Sequence, residues 1–139
     1  MNEKTYTIIV VVALFFYLFF SWKAGQIRFG DVAKKYKRVT PGAAKILWDR
    51  GATFVDVRSP EEYHEVHIAG AINIPVEEIL NGAELPDREK ETVLYCRSGT
   101  RSKNAMVQLI RRGYTNLYDL GMLNFWDGPV EWADDDVEE

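Results

Sequence analysis

The sequence predicts an α/β fold: a mostly parallel, twisted sheet with helices on both faces, preceded by one transmembrane helix. Three observations predict it. Short β-branched apolar runs alternate with helix-patterned segments through residues 38–133, the pattern of parallel strands buried on both faces. Residues 5–22 carry no charge at all. Finally, 139 residues suffice for one compact domain and an appendage but not for two domains.

Composition narrows the class. With 47% hydrophobic and 27% charged residues, 10 Gly and 5 Pro, the chain is neither disordered nor collagen-like. A single cysteine, Cys96, excludes an intrachain disulfide and any cage of several thiolates. Residues 1–38 carry seven basic and two acidic groups, net +5, whereas residues 39–139 carry ten and nineteen, net −9. An acidic body of this kind is not expected to bind nucleic acid.

The segment 5–22 is apolar on every face, from Ile8 through Phe20, and as a helix it spans about 27 Å, close to the thickness of a bilayer's hydrocarbon core. Tyr6 and Trp22 stand at its ends, where amphipathic rings settle among headgroups. A cleaved leader is the alternative, but around Ser21-Trp22-Lys23-Ala24-Gly25 the bulky Trp22 occupies a place that needs a small side chain. Only Lys4 precedes the segment, while Lys23, Arg28, Lys34, Lys35, Lys37 and Arg38 follow it, so the body is expected on the cytoplasmic side. Residues 23–37 read as a basic juxtamembrane linker able to rest on anionic headgroups.

Val39-Thr40-Pro41 opens a helix running to about Asp49, with Thr40 as N-cap and Pro41 in the first turn. Gly51 ends it, and Thr53-Phe54-Val55-Asp56-Val57 reads as a buried strand. Ser59-Pro60-Glu61-Glu62 has capping-box spacing and predicts a helix over 60–65. Ala71–Ile74 is a second strand, stopped by Pro75, and a short helix covers Val76–Leu80. Thr92–Tyr95 is a third strand. It runs into Cys96-Arg97-Ser98-Gly99-Thr100-Arg101, and beyond that Ala105, Met106, Leu109 and Ile110 recur at helical spacing up to Gly113. Asn116–Tyr118 is a last short strand, Leu120–Trp126 a closing turn or helix, and 134–139 an acidic tail.

Ligands of such sheets bind beyond the carboxyl ends of the strands, which is where this pattern places Cys96. Converging loop N–H groups, a helix N-terminus and the charges of Arg97 and Arg101 favour a thiolate there. The expectation is therefore a reachable nucleophile suited to an anionic partner. An inert buried cysteine is the alternative, and the polar flanks Arg97, Ser98, Gly99, Thr100 and Arg101 weigh against it.

Four pieces in this order resemble the rhodanese family: Phe54-Val55-Asp56-Val57-Arg58; Glu61-Glu62-Tyr63 with His67-Ile68-Ala69-Gly70-Ala71-Ile72-Asn73-Ile74-Pro75; Tyr95 through Ser102; and Gly113-Tyr114 with Leu120-Gly121 and Trp126. The resemblance covers most of residues 38–133. It implies a sulfurtransferase in which Cys96 takes a sulfane sulfur from thiosulfate or a related donor and passes it to a thiol or cyanide. Arg97 and Arg101 would bind the donor's sulfonate and the loop N–H groups from Arg97 to Arg101 would hold the persulfide, with Ser98, Gly99 and Thr100 lining the site. Asp56, Arg58 and Ser102 are expected to support the loop, although Ser98, Thr100 and Ser102 could equally serve as helix caps. The family often has Gly where this chain has Val66, and a Gly pair where it has Gly121-Met122.

No cofactor is expected, and His64 with His67 is too small a set for a metal. The expected partners are a small anionic sulfur donor, an external thiol or protein acceptor, and the membrane through residues 5–22. With no second cysteine, a persulfide must leave to another molecule. Two alternatives remain. A membrane-tethered persulfide carrier needs no efficient turnover, and a phosphatase or arsenate reductase would share the architecture. The latter resembles Cys-x5-Arg, whereas Arg101 follows Cys96 after four residues, giving a smaller ring of amides.

Overall fold

The computed structural model describes residues 2–24 and 29–133 and divides into two compact units, Met1–Asp31 and Val32–Glu139. The expected acidic tail, 134–139, and Arg28 of the basic stretch lie outside the described residues. In the first unit α1 (Glu3–Ala24) is a continuous helix whose large apolar side chains are exposed on every side, Phe15 at 66% and Tyr17 at 71%. Its Glu3–Trp22 stretch is long and apolar enough to cross a membrane. The expected linker is not wholly irregular: α2 (Phe29–Lys35) is helical, with Asp31 in its first turn and Lys34 and Lys35 in its last, where each charge suits the helix dipole.

In the second unit α3 (Pro41–Asp49) is capped by Thr40, whose hydroxyl accepts from the Ala43 N–H at 3.3 Å. Then follow β1 (Thr53–Asp56), α4 (Pro60–Glu65), β2 (Val66–Ile68), β3 (Ile72–Asn73), α5 (Val76–Leu80), β4 (Thr92–Cys96), α6 (Thr100–Arg111), β5 (Leu117–Met122), a 3-10 turn (Leu123–Phe125) and β6 (Val130–Trp132). The capping box on α4 is formed in both directions between Ser59 and Glu62.

The main sheet is parallel throughout, in the order β3-β1-β4-β5. Every residue of β4 is buried, as a central strand covered on both faces must be. Alternation along the strands divides the core. Phe54, Val93 and Tyr95 pack with Ala44 and Leu47 of α3, while Val55 and Leu94 point to the opposite face. Trp126 completes the first layer, its ring centroid 5.4 Å from that of Phe54.

A second sheet is not foreseen from the sequence. Its strands β2 and β6 pair antiparallel, with His67 opposite Glu131. Three-residue strands are too short to show a period, so only the meeting of distant segments makes them visible. Trp132, at its end, is 69% exposed, whereas Trp126 is core. The last main strand is also longer than Asn116–Tyr118, reaching Met122, with a register irregularity opposite Leu94 and Tyr95.

Candidate active site

Strand β4 delivers Cys96 as its final residue, paired with Met122 of β5, at the carboxyl edge of the sheet. Gly99 is the N-cap of α6 and adopts φ 87°, a left-handed conformation that side chains resist. That turn folds the loop back so that the Gly99 N–H donates to Cys96 Sγ at 3.0 Å. The Ser102 N–H, from the first turn of α6, donates at 3.5 Å. The thiol itself contacts Ser102 Oγ at 3.7 Å, and that hydroxyl donates to the Gly99 carbonyl at 3.2 Å. The sulfur thus sits against the positive end of a twelve-residue helix.

One expectation needs correction. Cys96 has no exposed surface, so its sulfur is not open to solvent as the loop's composition suggested. The left-handed turn at Gly99 closes the loop over it. The neighbouring loop residues Arg97, Ser98 and Thr100 are themselves exposed. Among the described residues the amides that donate to the sulfur are those of Gly99 and Ser102, not every amide from Arg97 to Arg101. Neither Ser98, Thr100 nor Ser102 caps α6, whose N-cap is Gly99 without a side-chain bond.

Arg101 has a partner the linear sequence does not reveal. Its two terminal nitrogens meet the Glu62 carboxylate at 2.6 and 2.9 Å, tying α6 to α4. The guanidinium holds the Glu62 carboxyl well below the usual range, at about 2. Arg97 is exposed and borders a cleft of about 210 Å³ with Arg58, Glu62, Glu65, Val66, Leu123 and Asn124.

Asp56 and Arg58 form a buried ion pair at the end of β1. Arg58 Nη2 donates to Asp56 Oδ2 at 2.7 Å and to the Val66 carbonyl at 2.5 Å, and the Arg58 N–H caps Asp56 Oδ1 at 2.9 Å. The pair therefore braces α4, β2 and the edge below the loop. Burial first, and then the Asp56 charge, pushes the Tyr95 hydroxyl far up, and that hydroxyl accepts the Ile68 N–H at 3.1 Å. His67 stacks on Tyr63 and hydrogen-bonds the Tyr63 carbonyl at 2.8 Å and Glu131 at 2.9 Å, fastening β2 to β6, while His64 is exposed.

Tyr36, Arg38 and Asp119 are further residues at this edge. The Tyr36 hydroxyl donates to the Asp119 carboxylate, whose other oxygen accepts the Gly121 N–H at 3.0 Å. Burial, followed by this bond, pushes the Tyr36 hydroxyl up. In the sequence Arg38 reads only as one of the basic residues after an apolar segment. Nothing local signals its place beside Gly121, more than eighty residues away.

The profile of the Rhodanese-like domain family matches residues 40–127, which include this cysteine loop. The chain belongs to the rhodanese-like family. It is 30% identical over 107 residues to the thiosulfate sulfurtransferase GlpE of Pseudomonas entomophila, covering 75% of this chain and 98% of that relative. It is 38% identical over 72 residues to the thiosulfate sulfurtransferase PspE of Escherichia coli, covering 50% of this chain and 69% of that one. Among solved structures, a rhodanese with anions from E. coli superposes with a TM-score of 0.53 at 33% identity, covering 59% of this chain and 99% of that chain. A rhodanese-related protein from Thermoplasma volcanium gives 0.62 at 27% identity, covering 69% and 98%. At family level this rhodanese-like chain groups with the rhodanese-type sulfurtransferases.

Proposed function

We propose that this rhodanese-like protein moves a sulfane sulfur from thiosulfate or a related anionic donor to an external thiol or cyanide, through a persulfide on Cys96. The observation that carries the reading is the pair of amides, Gly99 and Ser102, donating to Cys96 Sγ at the N-terminus of α6. They stabilise negative charge on sulfur, which both the attacking thiolate and the product persulfide carry.

In the first half-reaction the Cys96 thiolate attacks the outer sulfur of thiosulfate. The new bond joins the two sulfurs, the bond to the sulfonate sulfur breaks, and sulfite departs with the electron pair. In the second, an acceptor thiolate or cyanide attacks the outer sulfur of the persulfide and Cys96 leaves as thiolate. No net redox agent is consumed. Arg97, exposed beside the loop, is placed to meet the departing oxyanion, whereas Arg101 can do so only by releasing Glu62. Because Cys96 is covered, the sulfur must become exposed before either partner can reach it.

That cover also favours a second reading, a carrier that accepts persulfide from a protein and hands it on without efficient turnover of small donors. Steady-state assay of the full chain in detergent with thiosulfate and cyanide separates the two. Sustained turnover abolished by Cys96→Ser supports the enzyme. Mass spectrometry showing one added sulfur on Cys96, with no turnover, supports the carrier, and no added sulfur from any donor sinks both.

We also propose that α1 anchors the protein in a membrane as a single span, with the second unit on the cytoplasmic side. The length and charge-free composition of residues 5–22 and the excess of basic residues after them support this.

A further inference from the structure

We infer that Arg38, laid across Gly121 beside Gly99, is a second guanidinium, besides Arg97, that recognises the anionic group of the sulfur donor. The inference rests on the sulfur-transfer reading above.

Position comes first. The backbone at Arg38 joins the outer edge of β5: the Asp119 N–H donates to the Lys37 carbonyl at 2.8 Å, and the Val39 N–H to the Asp119 carbonyl at 3.0 Å. From that fixed root the side chain runs to the carboxyl edge of the sheet. A methyl group placed on Gly121 would stand 2.7 Å from Arg38 Nη2, and one on Gly99 would stand 3.9 Å from it. Gly99 is the residue whose amide holds the Cys96 sulfur. The guanidinium therefore lies near the flank of the cysteine loop.

Availability comes second. Arg101 spends both terminal nitrogens on Glu62, and Arg58 is committed to Asp56 and the Val66 carbonyl. Arg97 borders a cleft that also holds the carboxylates Glu62 and Glu65. Arg38, like Arg97, makes no side-chain hydrogen bond or ion pair among the described residues, and it lies outside that cleft. Asp119, the carboxylate at the same edge, has one oxygen on the Tyr36 hydroxyl and the other on the Gly121 N–H. Arg38 thus keeps a planar fork of N–H donors, which suits the paired oxygens of a sulfonate. A side chain at Gly121 would oblige the Arg38 guanidinium to shift. Arg38 is exposed, so its N–H donors are reachable by a solvent-borne anion.

The test uses the full chain, 15N-labelled in detergent, titrated with sulfite, which carries a sulfur oxyanion but no transferable sulfur. Saturable shifts are expected at the Gly99 and Gly121 amides, weakened about tenfold or more in Arg38→Met and partly restored in Arg38→Lys. Unchanged Val93 and Leu94 amides show that the sheet stays folded in each variant. In turnover, Arg38→Met is expected to raise KM for thiosulfate more than it lowers kcat. Sulfite binding that is absent from the parent chain, or equal in parent and Arg38→Met, overturns the assignment. Binding that depends on Arg38 in a chain that never turns over thiosulfate leaves the anion contact standing and defeats the sulfur-transfer reading instead.

Discussion

Arg101 grips Glu62 through two hydrogen bonds of 2.6 and 2.9 Å, and this joins the helix that opens behind the cysteine to the helix that follows β1. Glu62 also accepts the Ser59 N–H, so one carboxylate serves a helix cap and an ion pair at once. The folded value near 2 lies below the usual 4.5, so the pair's contribution is complete above about pH 4.5 and disappears as pH falls through 2. Glu62→Gln keeps the cap and loses the charge. It is expected to cost about 1–2 kcal/mol at pH 7, allowing for the partial exposure of both partners. Thermal melts of parent and variant should differ at pH 7 and converge near pH 2; an unchanged gap across that range would show the ion pair to be inert.

The Asp56–Arg58 pair is a different case, because Asp56 is wholly buried and Arg58 nearly so. Arg58→Met leaves a carboxylate without its counter-charge in the interior and strands the Val66 carbonyl. A loss of about 3–5 kcal/mol is expected. Arg58→Met with Asp56→Leu should recover a substantial part of it, since both charges are then gone. Near-ultraviolet circular dichroism during heating measures both, and a double variant no better than the single one would contradict this account.

Glycines at positive φ offer an internal control. Gly51 (φ 82°) has open space around its Cα, whereas Gly121 (φ 81°) faces Arg38. Alanine at either site bears a backbone cost of about 1 kcal/mol. Gly51→Ala should stop there, with sulfur transfer unchanged. Gly121→Ala must also displace the guanidinium, so it should weaken the use of thiosulfate at equal folded fraction. Equal activity in the two variants would mean that the contact has no functional weight.

Cys96 is too well covered to report membrane sidedness by chemical labelling. A reporter at the exposed Asn81, in a Cys96→Ser background, avoids that difficulty. Asn81→Cys is expected to resist a membrane-impermeant maleimide in intact cells and to react once the membrane is opened. Labelling in intact cells would place the second unit outside.

Local chemistry was readable wherever it acted within a few residues. The hydroxyl of Thr40 and the reciprocal bonds of Ser59 and Glu62 are helix-start chemistry, and their spacing announces them. The strands β1 and β4 are apolar because both faces of the sheet are covered, so they stand out as runs. Strands β2 and β6 did not stand out, since each is three residues long and owes its existence to the other, more than sixty residues away. The hidden state of Cys96 was equally illegible: polar neighbours suggest exposure, yet the cysteine itself is buried.

The sequence by itself determined the α/β alternation, the apolar first segment, the cysteine at the end of a strand and the family to which that loop points. Tertiary structure alone decided that Arg101 is paired with Glu62 and that Arg38 lies beside Gly121. The physical reason is distance along the chain. A guanidinium's partner is chosen by whichever carboxylate or glycine surface the fold brings within about 4 Å, and neither Glu62 for Arg101 nor Gly121 for Arg38 is a neighbour until the sheet has formed.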